Sequence, residues 1–118
     1  MANYGIFIGF GDAVRGREQK SLDLFNEAMQ YYTRLQQEGR IESWDVALLE
    51  PHGGDLGGFF LLRGDKQKLA QLRVDTEFER LTARALLIVN GIGVVGAYVG
   101  EGLTETVTMF QEALGELT

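Results

Sequence analysis

Gly58-Phe59-Phe60-Leu61-Leu62-Arg63-Gly64 is the stretch on which the fold turns. Four apolar side chains follow Gly58 in succession, and Arg63 and Gly64 end the run. Successive side chains of a strand point to opposite faces, so a strand here is apolar on both sides. An antiparallel sheet with one wet face alternates apolar with polar residues instead. The fold must therefore supply this strand with a cover on each face.

Upstream, Pro51-His52-Gly53-Gly54-Asp55-Leu56-Gly57 is a run of turn formers, long for a hairpin. Residues 41–50 precede it as a strand, with Trp44, Val46 and Leu48 on one face and Asp45, Ala47 and Leu49 on the other. Further back, Leu22, Phe25, Ala28, Met29, Tyr32 and Leu35 recur at steps of three and four, which predicts a helix over 21–38. Ser21 is its expected cap, and Gly39 is placed to end it. Residues 3–10 read as the first strand, with small or apolar side chains on both faces.

Downstream, Asp65 is expected to cap a short helix containing Leu69 and Leu72. Thr76-Glu77-Phe78-Glu79 has capping-box spacing and restarts a helix through Leu81, Leu86 and Leu87. Residues 92–99 form the fourth strand. A last helix is expected from Thr104, with Val107, Phe110, Leu114 and Leu117 as its stripe. No internal linker, repeat or low-complexity tract interrupts the 118 residues, which fit one domain. The order βαββαβ predicts an α+β, ferredoxin-like four-stranded antiparallel sheet with an extra C-terminal helix. Crossover helices cover one face. The other is covered either by the C-terminal helix or by a second copy of the sheet, closing a two-chain barrel. The second copy is preferred, because a bare apolar face of several hundred Å² is unusual in a monomer. The expected partner is thus the chain itself, as a homodimer.

Composition narrows the function. Hydrophobic residues make up 45% and charged residues 24%, as in ordinary globular proteins. Cysteine is absent, which excludes disulfides, thiolate metal sites and cysteine nucleophiles and suits a cytoplasmic location. The first residues carry neither the basic region nor the cleavage site of a signal peptide. No apolar run reaches the ~18 residues of a membrane span. With a net charge of −6, lysine only at 20, 66 and 68, and scattered arginines, no basic stripe marks a nucleic-acid surface.

Two glycine motifs look like nucleotide sites and are not read as such. Gly91-Ile92-Gly93-Val94-Val95-Gly96 matches G-x-G-x-x-G, yet it follows a helix and lies in a strand, whereas a dinucleotide site opens a helix after a strand. Residues 11–18 approach a P-loop, but Arg17 stands for the lysine and Glu18 for the hydroxyl that would hold magnesium. No cofactor is expected. The sole histidine, His52, lacks neighbours at metal-ligand spacing, so no metal site is expected either. It reads first as a turn residue, and second as a general base. Asp45 sits among apolar neighbours and needs a donor, which Arg63 across the hairpin can supply as an ion pair.

Residues 50–62 resemble the hairpin of YCII-related domains, where an acidic residue and proline with a glycine-rich turn lead into an apolar third strand. Asp75-Thr76-Glu77-Phe78 is similar to the acidic-x-x-Phe element of their second helix. The resemblance implies the dimeric α+β barrel superfamily, which holds cofactor-free monooxygenases, isomerases and many members without assigned activity. The histidine–aspartate pair proposed as the active site of YCII-related domains has no counterpart that can be placed here. The leading expectation is a homodimer that binds a small apolar or aromatic molecule, or acts as an interaction module, without catalysis. The alternative is a cofactor-free enzyme with a pocket lined by Tyr4, Phe7, Trp44, Phe60 and Tyr98. His52, Asp45 or Arg63 would supply its polarity, with His52 and Asp45 as the catalytic candidates. Haem binding through His52 is disfavoured, because a turn histidine lies outside that pocket.

Overall fold

The structure, a computed structural model, describes residues 2–117. Strand β1 (Tyr4–Phe10) leads into helix α1 (Glu18–Gln37), then β2 (Ser43–Leu48) and β3 (Gly58–Gly64). Two helices follow, α2 (Lys66–Arg73) and α3 (Thr76–Ile88), then β4 (Gly93–Tyr98) and α4 (Gly100–Glu116). The sheet order is β2-β3-β1-β4, with every pair antiparallel. This is the ferredoxin-like α+β arrangement with one helix added at the end.

Register fixes which side chains share a face. Ile6 stands beside Leu62 and Gly96, and Leu62 beside Trp44; Ile8 stands beside Phe60 and Val94, and Phe60 beside Val46. These residues face α1, α2 and α3, and the core gathers there around fully buried Ile6, Leu35, Leu62, Leu69 and Leu72. Aromatic rings fill the β2 side of the same layer: Tyr32 meets Phe60 edge-on at 5.0 Å and Trp44 at 6.0 Å. Adjacent residues of each strand point the other way. Phe7, Phe59, Leu61, Val95 and Ala97 form an apolar patch on the opposite face, where Phe7 stacks on Phe59 at 5.2 Å and Val95 is 54% exposed.

Local chemistry explains most boundaries. Asp65 accepts hydrogen bonds from the backbone N–H groups of Gln67 and Lys68 and starts α2. Asp75, one residue ahead of the expected Thr76, accepts from Glu77 N–H and starts α3. Gly39 takes φ +75° just past α1, where a left-handed residue ends a helix. Two close approaches demand glycine. The Tyr4 ring lies across Gly96, and the backbone oxygen of Asn3 lies against Gly102, so a Cβ at either site would collide.

Several expectations are corrected. Helix α1 begins at Glu18 rather than Ser21, and Arg17 precedes it without a side-chain cap. Its buried stripe is Leu24, Ala28, Tyr31, Tyr32 and Leu35, while Leu22 is exposed. The expected stripe was rotated slightly about the axis, because α3 packs beside α1 and covers Leu24 and Tyr31. Leu86 and Leu87 are exposed on α3, which buries Phe78, Leu81 and Ala85 instead. Strand β2 is shorter than residues 41–50, and α4 starts four residues before Thr104.

Helix α4 does not cover the second sheet face. Among its residues only Gly102 is buried, and Val95 stays open. The helix extends from the body, giving extents of 55 × 37 × 22 Å and a radius of gyration of 16.2 Å. A compact chain of this length has about 13.5 Å.

Candidate functional site

The site is a cleft between α1, α3 and the covered face of the sheet, with a cavity volume of about 60 Å³. Ile8, Phe10 and Phe60 form its floor. Helix α1 supplies Leu24, Phe25, Ala28 and Tyr32 as one wall, and α3 supplies Leu81 and Ala85 as the other. Their spacing follows from helical geometry, since residues three and four apart share a face. The small side chains of Ala28 and Ala85 leave the gap.

The polar residues among those lining the cleft are Ser21, Tyr32 and Thr82, each of which carries a hydroxyl group. Thr82 donates its proton to the Phe78 carbonyl at 3.0 Å, so its oxygen is left as an acceptor. Burial pushes the Tyr32 phenol well above the ordinary tyrosine range, with the neighbouring Tyr31 adding to the effect. Tyr32 therefore keeps its proton and can donate a hydrogen bond. Among the described residues, no carboxylate, imidazole or cation lines the cleft. Such a site can hold an apolar or aromatic body and orient one carbonyl or hydroxyl group.

The cleft walls are stapled on the outside. Arg84 of α3 makes a bidentate pair with Glu27 of α1, at 2.7 and 2.9 Å. Arg34 pairs with Glu77, and Arg40 with Asp75 at 2.7 Å. Hydrogen bonding from Arg84 holds the Glu27 carboxyl below its usual value. Hydrogen bonding from Arg40 does the same for Asp75, aided by the Glu77 N–H it also caps. Tyr31, on the same seam, is raised to about 12 by burial first and then by Asp75 and Glu77. Its buried hydroxyl has no hydrogen-bond partner among the described residues.

Of the residues singled out from sequence, Phe60 lines the cleft. Trp44 packs next to it, at 6.2 Å between rings. Tyr4 and Tyr98 meet each other edge-on at 5.8 Å at the far end of the covered face, and Tyr98 is half exposed. Phe7, Asp45 and Arg63 lie on the opposite face of the sheet. Asp45 and Arg63 do form an ion pair there. His52 stays in the turn. Its Nδ1 accepts from Gly54 N–H at 3.3 Å, so Nε2 carries the proton and donates it to the Leu56 carbonyl at 2.8 Å. Both nitrogens are thereby engaged in shaping the turn. The structure does not bring His52, Asp45 and Arg63 to the cleft.

Sequence reasoning missed Ser21 and Thr82. A signal was present: Ser21 stands four before Phe25, and Thr82 stands four after Phe78, each a small hydroxyl inside an apolar stripe. The near-P-loop segment is pinned to the turn before β4. Gly11 N–H reaches Asn90 O and Val14 N–H reaches Ile88 O, both at 2.7 Å. Glu18 accepts from Gly16 N–H at 3.0 Å. The amides of Gly11, Val14 and Gly16 are thus engaged within the chain and are not offered to a phosphate. Among the described residues, no group of histidine, cysteine, aspartate and glutamate could hold a metal ion. No helix among them is long and apolar enough to cross a membrane.

No protein-family model matches the chain, and no curated protein matches it by sequence. Solved structures do match its fold. A dimeric protein of unknown function and ferredoxin-like fold from Bacteroides fragilis superposes with a TM-score of 0.58 at 10% identity, covering 81% of this chain and 96% of that one. A protein of unknown function from Nitrosomonas europaea gives 0.60 at 16% identity, covering 84% and 90%. The hydroxynitrile lyase of Passiflora edulis gives 0.62 at 12% identity, covering 86% and 97%. At these identities the likeness is one of fold: the chain is a ferredoxin-like α+β protein.

Proposed function

We propose that this chain is a homodimeric α+β barrel protein that holds a small apolar or aromatic molecule between α1, α3 and the sheet, without catalysis of its own. The cleft carries the reading: it is apolar, and it offers hydroxyl groups but no group that titrates near neutral pH. A volume of about 60 Å³ exceeds several-fold the ~10–15 Å³ that a single water needs. The dimer is supported by the apolar patch around Phe7 and Leu61, and by the dimeric Bacteroides fragilis protein of similar fold. The turn at residues 50–62, with its likeness to YCII-related hairpins, fits the same superfamily. A cytoplasmic setting agrees with the absence of cysteine.

Phenol is a suitable probe, having one ring and one hydroxyl. Saturable amide shifts at Ser21, Ala28, Thr82 and Ala85 during an NMR titration are expected. Ala28→Leu, which fills the gap, should abolish them. Shifts confined to the face of Phe59 and Leu61, or a linear response without saturation, would remove the cleft from consideration.

The second reading is a cofactor-free enzyme of the monooxygenase or isomerase kind. The fold it shares with a hydroxynitrile lyase supports a scaffold able to host chemistry. Tyr32, Ser21 and Thr82 would then position the substrate. Turnover of a probe that Tyr32→Phe slows at unchanged KM would favour this reading over simple binding.

A further inference from the structure

Helix α4 repeats in solvent a pattern that α1 buries. One stripe carries Leu103, Val107, Phe110, Leu114 and Leu117, at steps of four, three, four and three, and Met109 is a further exposed apolar residue of α4 beside it. Each is about half exposed or more, from 47% at Val107 to 84% at Leu117. The steps average 3.5 residues. A stripe kept to that period is the narrow seam of a helix paired with a helix, whereas a helix laid on a core presents a broader face.

The heptad positions sharpen the identity of the partner. Leu103, Phe110 and Leu117 fall at d, and Val107 and Leu114 at a. The flanking e and g positions are Thr104, Gln111, Thr106 and Ala113, all uncharged. Charges at those positions normally select a partner of opposite sign. Here the acids Glu101, Glu105, Glu112 and Glu116 sit at b, f, f and c, away from the seam, and α4 carries no basic residue. Two copies of α4 can therefore meet seam to seam with their like charges on the outside.

We infer that α4 is an assembly helix whose seam over residues 103–117 packs against α4 of a second copy of this chain. The inference rests on the homodimer proposed above and adds a second contact to it. The seam runs a little over two heptads, short of the three to four of a self-sufficient coiled coil. Pairing through the sheet raises the local concentration of one α4 near the other and makes up the difference. The helices in turn add five large side chains to an interface that needs about 800 Å² from each partner.

The chain contains no cysteine, so any introduced thiol is unique. Val107→Cys, Phe110→Cys and Leu114→Cys place it in the seam, and Glu105→Cys and Glu112→Cys place it on the outer face. Oxidation should link at least one seam variant into a covalent dimer about 10-fold faster than either outer variant. A parallel pair links all three seam positions, and an antiparallel pair links the one nearest the two-fold axis. The parent mass by light scattering separates the two ideas. A dimeric parent whose seam variants link no faster than the outer ones overturns the α4 pairing and leaves the sheet dimer standing. A monomeric parent overturns both.

Discussion

Leu61 and Leu62 are neighbours in one strand and live in different worlds. Leu62 is fully buried between Ile6 and Trp44 under the helices, whereas Leu61 stands, partly buried, between Phe7 and Asp45 on a face over which no helix of the described residues packs. The strand supplies the same chemistry to both sides, but the chain has helices for only one. The difference teaches that apolar strand residues report how many covers a sheet needs, and not where the covers come from.

The largest expected effect separates the pair directly. Leu62→Ala removes side-chain volume from a closed core and should cost about 2–5 kcal/mol of unfolding free energy in urea titration. Leu61→Ala should cost under about 1 kcal/mol at concentrations where the protein is monomeric, because water already reaches that face. Equal losses would break the comparison and show that the second face is covered after all.

Leu61→Asp should come next. A carboxylate in the middle of the patch must be desolvated when two copies close over it, and its symmetry mate faces it across the interface. The dissociation constant should rise about 100-fold, near 3 kcal/mol. Sedimentation of the parent and the variant over a dilution series measures it. An unchanged mass would place the dimer contact, if any, elsewhere on the molecule.

The covered side makes its own prediction about alkali. Tyr31 titrates at about 12 in the fold against about 10 in the unfolded chain, and Tyr32 is shifted in the same direction. The folded state thus holds protons that the unfolded state releases above pH 10. Stability should be unaffected below pH 10 and should fall steadily between pH 10 and 12. Tyr31→Phe removes one of these protons and a buried hydroxyl that has no hydrogen-bond partner among the described residues. It should flatten the decline and raise stability at neutral pH by about 1 kcal/mol. A lower stability at pH 7 would mean that the Tyr31 hydroxyl has a partner in solution.

How legible this was in the sequence follows the same division. Strand β3 could be bounded to the residue, since Gly58 opens the apolar run Phe59–Leu62 and Gly64 closes the strand one residue after it. Asp65 announced α2 because its side chain satisfies amides that nothing else can. The start of α1 could not be read, because Arg17 offers no side-chain cap and Ser21, four residues on, imitates one. Ser21 faces the cleft instead. The cleft itself was hidden for a different reason. It arises where Ala28 and Ala85, far apart in sequence, face each other across two helices, and neither residue is distinctive alone. The aromatic residues Phe7 and Trp44 drew notice by type, but strand parity and register send one to the bare face and the other beside the cleft.

The smallest expected effect lies at the edge of the bare face. Asp45 and Arg63 form their ion pair there with side chains 59% and 34% exposed. In the isolated protomer such a pair is worth about 0.2–1 kcal/mol, because water screens it and two side chains lose freedom to make it. A double-mutant cycle with Asp45→Ala and Arg63→Ala, read by urea titration at high dilution, should return a coupling in that range. Repeated where the dimer is populated, the same cycle becomes a gauge of the interface. A pair enclosed by the second sheet loses its water, so removing Asp45 alone leaves a guanidinium without a counter-charge and weakens dimerisation by more than the pair was worth in the protomer. A coupling identical at both concentrations would put Asp45 and Arg63 at the open rim of the contact. The closed barrel would then be centred on Phe7, Leu61 and Val95, with β2 at its margin.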